Sequence, residues 1–170
     1  MNYPPSTIAR IADIHEGIGV ETSVLENATY LTGATQTEVF TVKGLVKILE
    51  LFIEFTEACS ANATQVLFNC TFTTPVIAVN AMCAKCASIS ALGQGGRILW
   101  LGGAVATAAV VTDGAGLSVG AAVIPQLVGG KDFIGSIGIL DSDANQSDGN
   151  FFVHCRYVPI LDGSYVEAKL

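Results

Sequence analysis

The sequence predicts a mainly β protein: an antiparallel β-sandwich or jelly-roll-like domain over residues 37–170, led by an extended N-terminal arm over residues 1–36. Three observations predict it. Apolar residues alternate with a period of two in several short runs. Gly-rich and Asn/Asp-rich turn signals separate those runs at even spacing. Neither a βαβ alternation nor a repeat of roughly 20–50 residues is visible.

The arm carries Tyr3-Pro4-Pro5, whose prolines lack a backbone donor and favour an extended start, and then a weakly patterned stretch to Gln36. Such an arm is expected to dock on a neighbouring subunit. The run from Val39 to Thr56 fits two descriptions. As a strand pair it turns near Lys43-Gly44, with Leu49, Leu51, Ile53 and Phe55 alternating with Glu50, Phe52, Glu54 and Thr56. As a helix it places Leu45, Leu49, Phe52 and Phe55 on one face. The β-branched and aromatic content favours strand. Val66, Phe68, Cys70 and Phe72 mark a half-buried strand that Pro75 stops. Strands are then expected over Val76 to Ile89, Arg97 to Val111, Ala121 to Val128 and Lys131 to Leu140, with Gly129-Gly130 ending the third of these. Phe151, Val153, Cys155 and Tyr157 alternate with Phe152, His154, Arg156 and Val158. A last hairpin is expected to turn at Asp162-Gly163 and close with Tyr165 to Ala168.

Composition narrows the function. Apolar residues make up 51% of the 170 and charged residues 14%, against a usual charged share of about 25%. A surface this poor in charge suits burial against other subunits. From Val76 to Val128 the only charged residues are Lys85, Arg97 and Asp113, so these strands are expected to form the contact surface of a closed homo-oligomer. The net charge is −7, with eight Lys plus Arg scattered singly. That pattern argues against direct nucleic-acid binding. The longest apolar stretch, Ile98 to Val111, falls short of the roughly 20 residues of a spanning helix, so no membrane span is expected. The N-terminus shows no signal-peptide core, and the five cysteines are odd in number. Free thiols in a reducing compartment are expected.

No constellation carries chemistry, so no enzyme, cofactor or metal is expected. Cys83-Ala84-Lys85-Cys86 has metal-pair spacing but lacks a second pair, and the two histidines, His15 and His154, are far apart. Asp141-Ser142-Asp143-Ala144-Asn145 starts like a calcium loop, yet Gln146 and Phe152 occupy the positions that need Gly and Glu. Gly93-Gln94-Gly95-Gly96 is not followed by the Lys-Ser/Thr of a phosphate loop. Glycosylation-type triplets begin at Asn27, Asn62, Asn69 and Asn145 and are read as chance.

Several segments carry a resemblance. Phe40-Thr41-Val42-Lys43-Gly44 leads to Val46-Lys47-Ile48-Leu49, followed by Glu54-Phe55-Thr56-Glu57-Ala58 and Asn62-Ala63-Thr64-Gln65-Val66. The chain then closes with Arg156-Tyr157-Val158-Pro159-Ile160-Leu161-Asp162-Gly163-Ser164-Tyr165-Val166. Over roughly residues 38 to 168 this resembles small virion structural proteins of tailed bacteriophages, those similar to capsid decoration (cement) proteins. Ile160 and Ser164-Tyr165 depart from the usual closing pattern. The resemblance implies a protein made in the host cytoplasm and placed on the capsid surface of the virion. It also implies the major capsid protein as partner and a homotrimer as the assembled form. A head-fibre, tail or host-binding adhesin subunit is the second class, expected to expose aromatics at loop tips. A small β-barrel enzyme is the third; it needs a convergent His/Glu set that two histidines hardly allow.

Overall fold

In a computed structural model of the chain, residues 20–27, 36–59, 65–90, 92–112, 124–141 and 150–169 are described. Among the described residues there are nine strands: β1 (Val20–Asn27), β2 (Gln36–Phe55), β3 (Val66–Thr74), β4 (Val76–Ala81), β5 (Arg97–Trp100), β6 (Val110–Thr112), β7 (Gln126–Asp141), β8 (Asn150–Pro159) and β9 (Tyr165–Ala168). All the strand pairings are antiparallel. The mainly antiparallel β class expected from the sequence therefore holds. Its finer form differs: the strands belong to one hydrogen-bonded sheet in the order β1-β8-β2-β7-β3-β4, with β5, β6 and β9 attached off that path.

The sheet is organised on β2. Along one side of β2 run β8 (against Val46 to Phe55) and then β9 (against Phe40 to Lys43). Along the other run β5 (against Leu51 to Glu54) and then β7 (against Gln36 to Ile48). The far side of β7 takes β3, which takes β4. Beyond β4 the chain stays on β3, with Met82 N donating to Phe68 O (2.8 Å) and Cys86 N to Val66 O (2.9 Å). Ala84 then bridges Ala108, and β6 pairs with β5, which pairs with β2. The hydrogen-bonded path β2–β7–β3–(82–86)–(107–109)–β6–β5 returns to β2, so this part of the sheet curls into a closed ring. Isolated strands of 20 residues are rare, most being about 3–10. β2 reaches that length because it is hydrogen-bonded on both sides and bulged where the sheet must bend.

Bulges explain how one strand resembled both a strand pair and a helix. The β2–β8 register shifts between Ile48 and Glu50. Val42, Val46 and Ile48 are buried before it, and Leu51, Ile53 and Phe55 after it. The extra residue converts one step of two into a step of three, which copies helical spacing while the same face stays inward. Lys43-Gly44 is not a turn. β2 passes straight through Gly44, at φ 74°. Both neighbouring strands pucker at this level: β7 jumps from Gly129 to Ile134, and 160–164 loops out between β8 and β9. A Cβ on Gly129, itself at φ 89°, would lie 2.1 Å from Gly44 O. Ser164 fills the space above Gly44, and its Oγ accepts a hydrogen bond from Leu45 N (3.0 Å).

Four further expectations are corrected here. Gly129-Gly130 does not end a strand, because β7 runs through it from Gln126 to Asp141. Asp162-Gly163 is not a hairpin turn, because β9 continues in the direction of β8 and pairs with β2. The long strands expected over 76–89 and 97–111 are shorter, ending at Ala81 and Trp100, with β6 formed separately. Within the expected arm, residues 20–27 form β1 and pair with β8 of the same chain. The rest of the arm up to residue 35 lies outside the described residues.

The core fills the inner face: Val42, Ile48 and Ile53 of β2, Phe68 of β3, Ile98 of β5, Ile137 of β7 and Val153 of β8 are all wholly buried. Trp100 lies among them and its indole Nε1 donates to Met82 O (3.0 Å), tying β5 to the 82–86 segment.

Gly129→Ala and Gly163→Ala are expected to separate packing from backbone strain. Both glycines have positive φ, but a Cβ at Gly163 meets nothing within 4 Å. Gly163→Ala should cost about 1 kcal/mol and Gly129→Ala at least about 3 kcal/mol, read from urea unfolding midpoints.

Candidate functional site

The outer face of the sheet carries a cluster of charged and aromatic side chains, in rows set by register. Glu50 of β2 faces Arg156 of β8, and Arg156 Nη2 donates to Glu50 Oε1 at 2.7 Å. Phe52 faces His154, their rings stacked at 4.5 Å between centroids and 13° between planes. Glu54 lies between Arg97 of β5, which donates to it at 3.2 Å, and His154, whose Nε2 is 3.9 Å from Oε2. Arg97 also sits 5.9 Å from the Phe52 ring centroid. A shallow open cleft of about 250 Å³ runs beside this cluster, lined by Glu50, Leu51, Phe52, Arg97, Leu99 and Trp100. These partly exposed pairs contribute on the order of 0.2–1 kcal/mol each. Both arginines are already committed to carboxylates. The arrangement does what cross-strand pairs do: it fixes the register of β5, β2 and β8.

A second polar group joins β2 to β7 and to the C-terminal end. Glu38 accepts from Ser136 Oγ (2.8 Å) and from the Lys169 ammonium. The Lys169 hydrogen bond, then that from Ser136, holds the Glu38 carboxyl below its ordinary value against a smaller opposing effect of burial.

The sequence motifs behave structurally. Cys83 and Cys86 are both buried, and neither is in a disulfide. Their sulfurs accept hydrogen bonds from Phe68 N (3.3 Å) and Val66 N (3.2 Å), so the Cys-x-x-Cys spacing serves to edge β3. Burial raises the thiol pKa of Cys70, Cys83 and, most of all, Cys155. No group of three or more His, Cys, Asp or Glu with metal-binding placement occurs among the described residues. The Gly93–Gly96 loop bonds to the end of β2, with Gly95 N donating to Phe55 O (2.7 Å) and Phe55 N to Gly96 O (2.9 Å). Asn69 is wholly buried on β3, so its triplet is closed to glycosylation in the folded chain. His15, Asn62 and residues 142–149 of the acidic loop, including Asn145, lie outside the described residues. Among the described residues no helix is long and apolar enough to cross a membrane.

The remaining surface feature is apolar. Val76 is 89% exposed, and Val79, Val105, Ile124 and Leu127 are each more than half exposed. Val105 and Leu127 line an open cleft of about 220 Å³ with Cys70, Phe72, Met82 and Trp100, at the mouth of the ring. Val76, Val79, Val105, Ile124 and Leu127 fall within the charge-poor 76–128 stretch singled out from the sequence. The outer-face charge rows were missed as a cluster. Their signal was the outward alternation of Glu50, Phe52 and Glu54 with Phe152, His154 and Arg156, which lacked only the register between the two strands.

Comparison with protein-family models, curated proteins and solved structures gave no match.

Two outcomes are expected of this site. In native protein Cys83, Cys86 and Cys155 should stay inert to a thiol reagent, and denatured protein should titrate five thiols; a count of one would mean disulfides. Because the folded pKa of Glu38 is depressed, its contribution is present above the unfolded value near 4.5 and is lost as pH falls through the folded value. Unfolding curves of the parent chain and Glu38→Gln should therefore differ at pH 6 and draw together as the pH is lowered below about 4.5.

Proposed function

We propose that this chain is a structural virion protein that binds and stabilises a bacteriophage capsid, a decoration or cement protein whose partner is the major capsid protein. The observation that carries this reading is the exposed apolar patch of Val76, Val79, Val105, Ile124 and Leu127. Val76, Val79 and Val105 lie in the described stretch 76–112, which holds only Lys85 and Arg97 as charges, and Ile124 and Leu127 lie in 124–128, which holds none. Exposed large apolar side chains in a surface poor in charge are characteristic of protein contact sites. The resemblance supplies the rest. Its closing segment, Arg156 to Val166, spans the end of β8, the 160–164 loop and the start of β9, all laid along β2. In this reading the chain is made in the host cytoplasm, self-associates and sits on the outer capsid surface. It contacts neither nucleic acid nor membrane and performs no catalysis. The resemblance alone sets the number of subunits at three.

The adhesin reading calls for aromatics at loop tips. The described Phe, Trp and Tyr residues lie in strands, which favours the decoration reading.

The test is purification of phage particles that encode the chain, followed by electron microscopy. The expected result is that the chain co-purifies with DNA-free and DNA-filled heads and appears as density on the shell. Absence from the particle, or density confined to tail or fibres, would overturn the proposal.

A further inference from the structure

β4 is the end of the sheet path: β3 pairs one of its edges, and no described strand pairs the other. A free edge offers a row of backbone donors and acceptors to any extended chain. Sheets usually protect such edges with charges, prolines or bulges. The other terminal strand, β1, carries Glu21 and Glu26, and β9 carries Glu167. β4 reads Val-Ile-Ala-Val-Asn-Ala and carries no charge. It is exposed along its length apart from Ile77, which packs on the core beside Phe72.

Its one protective device is a bulge. Cys70 pairs with Asn80 and Phe72 with Ile77, so Ala78 and Val79 together oppose Thr71. This bulge makes the strand symmetric about its centre. Val76 and Ala81 share the outer face, being opposite Thr73 and Asn69; Ile77 and Asn80 share the inner face, being opposite Phe72 and Cys70. A regularly alternating strand of six residues would put its two ends on opposite faces. Here a second β4, antiparallel and in full register, sets Val76 against Ala81, Ile77 against Asn80 and bulge against bulge. Every outer residue then meets an outer residue. A regularly alternating strand of six residues could pair with its own copy only after a slip of one residue. Asn80 Nδ2 donates to Ala78 O (2.8 Å), so one acceptor at the bulge is satisfied from within.

Charge selects the same occupant. At a net charge of −7 two copies repel each other over most of their surfaces. They meet without that penalty at a neutral strand flanked by the neutral 104–108 segment. From these observations we infer that β4 pairs antiparallel with β4 of a second copy, extending the sheet across a two-fold axis. This inference deepens the self-association in the proposed function and rests on it only for its setting. The contact is isologous, so it yields an even number of subunits, where the resemblance gives three.

The test uses the full chain. Native mass spectrometry and sedimentation at micromolar concentration should show a dimer or a multiple of it. Val76→Lys/Val79→Lys should shift the mass to a monomer that still unfolds cooperatively, since both side chains are mostly exposed, and should remove the concentration dependence of the melting temperature. A mixture of Val76→Cys and Ala81→Cys chains should cross-link between copies with a short thiol reagent above the background of the parent chain. Val76→Cys alone should not, because its two copies would stand roughly 15 Å apart. A monomeric or trimeric parent chain, an oligomer unmoved by the lysines, or equal cross-linking of Val76→Cys with itself would each overturn the pairing. Capsid attachment is read separately: a monomer that still coats capsids defeats this inference alone, whereas a dimer absent from particles defeats the proposed function alone.

Discussion

The hydrogen bonding of β2 on both sides is the constraint on which the rest of the structure depends. Four strands, β5, β7, β8 and β9, find their register against this one element. A straight strand of its length would extend about 60 Å, far beyond what a single small core can cover. Its bulges resolve that conflict. They bend the strand, keep Val46 and Ile48 on the same face as Leu51 and Ile53, and let the flanking strands depart at the level of Gly44. One consequence is a closed ring on the β5–β7 side and an open wing of β8 and β1 on the other.

The two faces of the sheet are sharply different in kind. The inner face is sealed by aliphatic and aromatic side chains and by thiols acting as small apolar groups. The outer face near the second half of β2 is held by Glu–Arg pairs and a Phe–His stack that fix register at little net gain. Away from these rows, the ring mouth and β4 present apolar surface to solvent. The exposed valines Val76, Val79 and Val105 thus lie in the part of the chain poorest in charge.

Much of the fold was legible in the residues. The alternation of Val66 to Phe72 and of Phe151 to Tyr157 fixed two strands and their inner faces, because a regular strand writes its burial directly into a period of two. What misled was punctuation. Lys43-Gly44, Gly129-Gly130 and Asp162-Gly163 have turn chemistry, and turn chemistry is also bulge chemistry, since both need positive φ. Sequence alone does not say whether the chain reverses after such a residue or resumes its direction. Two irregularities inside continuous strands, at Lys43-Gly44 and Gly129-Gly130, were therefore read as strand ends, and the loop at Asp162-Gly163, after which the chain resumes its direction, was read as a reversal. The same lack of register hid the pairing of Glu50 with Arg156 and of Glu54 with Arg97. The charge-poor stretch from Val76 to Val128 was legible from charge spacing alone. That β4 is the exposed part of it depended on the order of strands in space.

Amide hydrogen exchange along β2 tests most directly whether it is a single spine. If it is, the amides of Val42, Val46, Ile48, Leu51 and Ile53 exchange slowest in the molecule and share one opening free energy, equal to that of global unfolding. Two separate opening energies, one for residues before Gly44 and a different one for residues after it, would contradict a continuous strand and return the fold to two independently paired segments.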